Sequence, residues 1–196
     1  MKRDVILAGV GGQGLLSVAA VIGEVALGLG FHLKQAEVHG MAQRGGSVTS
    51  HLRFSERPVY SDLVPDGEAD LVLSLEILEG LRYAHLLSPT GVLVTSTATV
   101  KNMPGYPAQG QIDEGLRAVV RGVRVDAPHL AQRAGSAQSA NVVVLGAAVP
   151  FLGLPEEAFI EAIQRAFVKK PCAVLEANLV ALRLGREGGK EASSKA

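Results

Sequence analysis

Apolar residues follow two rhythms along this chain. Short unbroken apolar runs stopped by glycine or polar residues read as buried strands, and stretches with apolar residues three and four apart read as helices. Asp4 to Val10 is a run of the first kind, closed by Gly9, Gly11, Gly12 and Gly14. From Gln13 to about Gly30 the rhythm is helical, with Leu15, Val18, Ile22, Val25 and Leu29 in one stripe. Leu16, Ala20 and Leu27 fill the opposite side, and beyond the first turn only Ser17 and Glu24 are polar. A helix apolar nearly all round needs cover on more than one side, which implies a partner subunit. His32 to Val38 reads as a second strand, followed by the loop His39-Gly40-Met41-Ala42-Gln43-Arg44-Gly45-Gly46.

From Ser47 the chain alternates. Val48, Ser50, Leu52 and Phe54 fall on one side, and Ser47, Thr49, His51 and Arg53 on the other. This period of two predicts a strand with one side partly wet, antiparallel or at a sheet edge, with Pro58 to Leu63 as a hairpin partner. Asp70 to Leu75 and Val92 to Ser96 read as buried strands around a helix at Glu76 to Leu87, which Ser88-Pro89-Thr90-Gly91 ends. Residues 97 to 122 fit no single template, though Asn102 to Pro107 is loop by composition. A short strand at Val123 to Asp126 precedes helices at Pro128 to Arg133, Asn141 to Phe151, Pro155 to about Phe167 and Val174 to Leu184. Glu156 and Glu157 suit a helix start, where negative charge is favoured. Strands interleaved with helices predict one three-layer α/β/α domain over residues 1–186 with a mostly parallel, mixed sheet. Residues 187–196, rich in Gly, Lys, Glu and Ser, read as a flexible tail.

Composition narrows the function. The 196 residues carry 19 basic and 19 acidic side chains, a balance that argues against nucleic acid as a partner. With 47% hydrophobic and 19% charged residues the chain is not disordered. No apolar run is long enough to span a membrane, and the N-terminus lacks a signal-peptide pattern, so a cytoplasmic location is expected. One cysteine, Cys172, leaves no internal disulfide and too few thiolates for an iron–sulfur cluster. Its setting between Pro171 and an apolar helix reads as buried and inert. Histidines 32, 39, 51, 85 and 129 show no zinc-ligand spacing, so no metal site is expected. No G-x-S-x-G elbow is present, and no Gly-Lys-Ser/Thr follows the glycines.

Two segments hold candidate chemistry. Gly9-Val10-Gly11-Gly12-Gln13-Gly14 fits G-x-G-x-x-G between a strand and a helix. Such a turn brings backbone N–H groups and a helix N-terminus to an anion. Glu37 lies 23 positions past Gly14, where an acidic residue can bind a ribose hydroxyl. Taken alone, this describes an autonomous NAD(P)- or FAD-binding oxidoreductase. The same glycines also serve a tight turn with close helix–sheet packing. In the second segment Arg44 beside Gly45-Gly46 can clamp a carboxylate or phosphate, brace an interface, or pair with Glu37. His39 can titrate near neutrality as an acid or base, or be purely structural.

Together, Gly9 to Leu15 and the run Ala36-Glu37-Val38-His39-Gly40-Met41-Ala42-Gln43-Arg44-Gly45-Gly46-Ser47-Val48 resemble the gamma-type subunit or domain of 2-oxoacid:ferredoxin oxidoreductases. Among these, the beta subunit of indolepyruvate:ferredoxin oxidoreductases is the most similar. The resemblance continues weakly through Asn141 to Gly146 and Lys169 to Asn178, and covers most of residues 3–186. It implies a holoenzyme that oxidatively decarboxylates an aryl-pyruvate to an acyl-CoA and passes electrons to ferredoxin. It implies that thiamine diphosphate and iron–sulfur clusters sit on a large alpha subunit, and that coenzyme A is used with it. It implies that this chain holds no catalytic residue. It places Gly9, Gly11, Gly12, Gln13, Gly14, His39, Arg44, Gly45 and Gly46 near a cofactor or the partner. The isolated chain is expected to be inactive and, with its apolar helix uncovered, to self-associate as a homo-oligomer.

Overall fold

The computed structural model describes residues 1–40 and 45–193. Among these residues six strands form one sheet in the order β2-β3-β1-β4-β5-β6. They are β1 (Lys2–Val10), β2 (His32–His39), β3 (Ser47–Ser55), β4 (Ala69–Ser74), β5 (Leu87–Ser96) and β6 (Gly122–Val125). β1, β4, β5 and β6 pair in parallel, whereas β3 runs antiparallel to both β1 and β2. The mixed, mostly parallel sheet is the one expected.

Period-two alternation splits each strand between two layers. On the inner face Val5, Leu7, Leu71, Leu73, Val92 and Val94 join one large apolar cluster. Over it lie α1 (Leu15–Gly28), α4 (Ala127–Arg133), α5 (Ala140–Leu152), α6 (Glu156–Ala166) and α7 (Cys172–Ser193). On the outer face Ile6, Val72 and Leu93 form a smaller cluster with Val64 and Leu86. That layer contains α2 (Ile77–Arg82) and α3 (Gln109–Ala118).

α5 and α7 make the closest helix contact. Gly146 faces the Leu182 backbone and Gly185 the Val143 carbonyl, each so close that a Cβ would overlap the opposite main chain. Gly189 extends this seam against Ala147. α7 therefore runs to Ser193, through the stretch whose composition reads as a tail. Its glycines serve packing, which composition alone does not reveal.

Other departures from expectation have equally local causes. β3 is antiparallel but not at an edge, since both β1 and β2 pair with it. Of its polar side, Ser47 and His51 are half-buried, while Arg53 is buried and ion-paired with Asp4, Nε to Oδ1 at 2.7 Å. Pro58 to Leu63 forms no strand. It is loop whose Ser61 and Leu63 carbonyls accept from Arg53 Nη1 at 3.3 and 2.8 Å. The helix expected at Glu76 to Leu87 is shorter, with Glu76 as its N-cap and a 3₁₀ turn at Ala84–Leu86. β5 begins at Leu87, so Ser88 to Gly91 is strand rather than helix stop. Cys172 is exposed, at the first residue of α7, and not buried. No helix among the described residues is long and apolar enough to cross a membrane.

Candidate functional site

Parallel strands ending together put their following loops on one rim, where α/β sheets commonly bind ligands. Here the rim gathers the glycine turn after β1, the end of β2, the start of β3, and the segments after β4 and β5. Gly12 and Gly14 take positive φ values of 102° and 81°, a region that favours glycine. Gly14 is the N-cap of α1. A Cβ on Gly14 would lie 2.5 Å from Asn141 Nδ2 at the start of α5. That amide donates to the Gly14 carbonyl at 3.2 Å, so two helix N-termini converge on the turn.

The turn is braced from within. Gln13 Oε1 accepts from the Val10 N–H at 2.7 Å, and Gln13 Nε2 donates to the Leu75 carbonyl at 3.3 Å. Both ends of this side chain thus stitch β1 to β4, while the Gln13 backbone stays on the rim. Gly9 leaves room beneath it, since a Cβ there would sit 3.0 Å from Gln13 Oε1 and push that side chain aside.

The second segment meets the first directly. Gly11 donates to the Gly46 carbonyl at 2.8 Å, and Gly45 donates to the Gly11 carbonyl at 3.1 Å. His39 and Glu37 are exposed on β2 beside a groove of about 420 Å³ that Gly11, Gly12, Leu15 and Leu16 complete. His39 Nδ1 lies 3.2 Å from the Gly40 carbonyl. Glu37 Oε1 accepts from Gln35 Nε2 at 2.9 Å. Arg44 falls outside the described residues. Across the turn, a cavity of about 490 Å³ lies between Gly12 to Gly14 and Gln138 to Asn141, floored by Leu75 and Ser96. Two clefts of about 650 Å³ each flank α3 on the outer layer, away from the glycine-rich backbone.

Sequence patterns do not point to the buried acids beneath this rim. Glu76 and Glu79 are 1% and 3% exposed. Glu79 Oε2 accepts from Ser47 Oγ at 2.5 Å, next to Gly46. Glu76 Oε2 accepts from the Glu79 N–H at 2.8 Å. Its other oxygen accepts from the Val100 N–H at 3.2 Å and from the Tyr106 hydroxyl. Burial and then the Glu76 hydrogen bond hold the Tyr106 phenol far above its ordinary range. A pair of glutamates three apart after an apolar strand is a usable signal, but it resembles any helix start.

The topology bears on the dinucleotide alternative. In a dinucleotide fold the acidic strand lies beside the glycine strand. Here antiparallel β3 separates β2 from β1, placing Glu37 two strand spacings away, roughly 10 Å. Nor do metals find an obvious seat: the described residues contain no group of three His, Cys, Asp or Glu suited to one.

Known proteins match this arrangement. The family described as pyruvate ferredoxin/flavodoxin oxidoreductase matches residues 4–188. Indolepyruvate oxidoreductase subunit IorB of Archaeoglobus fulgidus is 36% identical over 194 residues, 94% of either chain. The gamma subunit of a keto/oxoacid ferredoxin oxidoreductase from Geobacter sulfurreducens superposes with TM-score 0.70 at 25% identity, covering 97% of this chain and 99% of that one. The fold also recurs in the 2-oxoglutarate:ferredoxin oxidoreductase of Magnetococcus marinus, solved with 2-oxoglutarate, coenzyme A and succinyl-CoA. There the TM-score is 0.77 at 20% identity, over 97% of this chain and 31% of that one. These relatives do not support the autonomous dinucleotide enzyme. The chain belongs to the pyruvate ferredoxin/flavodoxin oxidoreductase family, as a small subunit of a 2-oxoacid:ferredoxin oxidoreductase.

Proposed function

We propose that this subunit works with a large alpha subunit on indolepyruvate or a similar aryl-pyruvate, and that its glycine rim seats an anionic part of coenzyme A. Thiamine diphosphate and the iron–sulfur clusters belong to the large subunit, which passes electrons to ferredoxin. One exposed cysteine, Cys172, is not a donor set for a cluster. When bound, coenzyme A supplies the thiol that accepts the acyl group.

The carrying observation is the glycine turn enclosed between the starts of α1 and α5. The first N–H groups of α1 have no acceptor earlier in the helix, and the two helix dipoles reinforce each other there. Gly12, Gln13 and Gly14 bring backbone to the cavity wall opposite Gln138 to Asn141, and Gly45 and Gly46 hold the adjoining Gly11 in place through their hydrogen bonds to it. Gly9 and the Gln13 side chain hold the turn in shape. His39 and Arg44 belong to the loop that meets substrate or partner. The chain's own work is binding, orientation and exclusion of water.

The large subunit covers α1. Leu16 and Leu27 are 47% and 57% exposed, and with exposed Ala20 they make an apolar stripe. Without the companion, that stripe drives self-association of an inactive chain.

Coexpression with the cluster-bearing subunit tests the assignment. The expected product is a brown complex that reduces dye only when indolepyruvate is supplied; a chain that turns over a ketoacid alone overturns it. Gly12→Ala tests the seat, because the added methyl meets no protein atom within 4 Å and its effect falls on the turn itself, whose φ of 102° an alanine adopts only under strain. The KM for coenzyme A should rise about tenfold, the cost of one strained or lost contact, with the KM for indolepyruvate unchanged. Equal values for variant and parent sink the seat while leaving the subunit assignment intact. Arg44→Ala should lower turnover or assembly.

A further inference from the structure

The segment from Thr97 to Tyr106 lacks regular structure, and Lys101 to Gly105 are exposed. It is nonetheless held at several points. Thr97 donates to the Val125 carbonyl at 3.0 Å, and the Ala98 carbonyl accepts from Ile77 at 3.0 Å. Further on, Val100 and Tyr106 both donate to one oxygen of buried Glu76. Burying a carboxylate is costly unless its oxygens are satisfied, and this one is satisfied largely by a surface loop. From the middle of the loop, Asn102 Nδ2 donates to the Gly45 carbonyl at 2.6 Å. Gly45 in turn donates to Gly11, and Gly11 to Gly46.

A continuous hydrogen-bonded path thus runs from Glu76 through the 97–106 loop to the glycine rim. Two acids of the same helical turn serve the same end, since Glu79 grips Ser47 on the other side of Gly46. We propose that Asn102 is a positioning residue, which sets where Gly45 and Gly46 lie against Gly11 and thereby the affinity of the rim for its ligand. Glu76 acts through it by anchoring both sides of the loop around Asn102. This inference rests on the rim being the coenzyme A seat, but its structural half can be read without that assumption.

The test uses amide hydrogen exchange of the full chain with its companion subunit, together with steady-state kinetics of the same complex. Asn102→Ala should speed exchange at the Gly11 and Gly45 amides about tenfold, the equivalent of one lost hydrogen bond. Exchange in β4 and the thermal midpoint should stay unchanged. The KM for coenzyme A should rise several-fold, on the order of the same bond, with kcat kept. Tyr106→Phe, which frees one side of the loop, should move the Gly45 amide the same way by less. Unchanged exchange at Gly45 in both variants overturns the proposal, as does an equal rise across the whole sheet. Faster exchange with an unchanged KM upholds the positioning of the loop and refutes the rim as the coenzyme A seat.

Discussion

The two faces of the sheet are stabilised by different physics. The inner face is aliphatic, filled by Val5, Leu7, Leu71 and Leu73 beneath α1, α5, α6 and α7, and sealed where α5 meets α7 through glycines. The outer face carries a smaller apolar cluster, and beside it the polar side of β3, with Ser47, Thr49, His51 and Arg53 in a row. Inner-face residues need only the right volume. Outer-face residues need particular partners at particular angles, since a buried polar group without one costs more than the bond gains. The difference separates stability from placement. Volume holds the domain together, and polar pairing sets how the loops of the rim lie.

Crowding the inner seam is expected to have the largest effect. Gly185→Val would drive a branched side chain into the Val143 backbone, which lies in the part of α5 buried from Val142 to Val149 and has no room to retreat. The variant should show no cooperative thermal transition by circular dichroism, a loss of roughly the whole 5–15 kcal/mol that such domains possess. A normal transition would mean that α5 and α7 are not in main-chain contact at Gly185.

Next comes the outer face. Arg53→Leu removes a guanidinium whose Nε and Nη2 reach Asp4 at 2.7 and 3.1 Å and whose Nη1 holds the Ser61 and Leu63 carbonyls. Asp4 stays behind, 1% exposed, with Lys2 as its remaining cation at 2.8 Å. Urea unfolding should show a loss of about 3 kcal/mol, as when one member of a buried pair is removed. A loss below about 1 kcal/mol would place this pair with ordinary surface pairs and erase the contrast between faces.

The same two faces explain how much could be read in advance. β1, the glycine turn, α1, β4 and α5 are legible because their stop signals are local and their apolar runs are long. The polar side of β3 is not, because alternation marks Arg53 as polar without distinguishing water from Asp4, 49 positions away. Gly188 and Gly189 look like a tail because composition cannot show Ala147 packed against Gly189. For the candidate site, Gly9 to Gly14 and Gly45 to Gly46 stand out as motifs, and the structure joins them through Gly11. Glu76, Tyr106, Asn102 and Asn141 stay hidden, since each acts on a residue distant in sequence. Asn141 is 127 positions from the glycine whose carbonyl it holds.

Thr49 sharpens the comparison with a gain. It is 2% exposed, and its Oγ1 has no hydrogen-bond partner among the described residues. Thr49→Val keeps the shape and removes the orphaned hydroxyl, so the urea midpoint should rise by the equivalent of about 1 kcal/mol. A fall would mean that the hydroxyl has a partner, and that the outer face is satisfied throughout.

His51 gives the smallest and most conditional effect. Burial, and then the positive charge of Arg53, lower its pKa below the ordinary 6.5. Its Nδ1 accepts from the Val64 N–H at 3.1 Å, a bond that only the neutral ring can make with that nitrogen. The folded chain therefore prefers the neutral ring, and the unfolded chain takes up the proton first as pH falls. Stability from this group is complete above 6.5 and drains away below it, levelling off only beneath the lowered folded value. His51→Asn keeps an acceptor for Val64 and does not titrate. Between about pH 7.5 and about pH 5.5 the urea midpoint of the parent should fall further than that of the variant. Parallel profiles would show that the ring titrates as freely as in the unfolded chain, and that the cover over this part of β3 admits water.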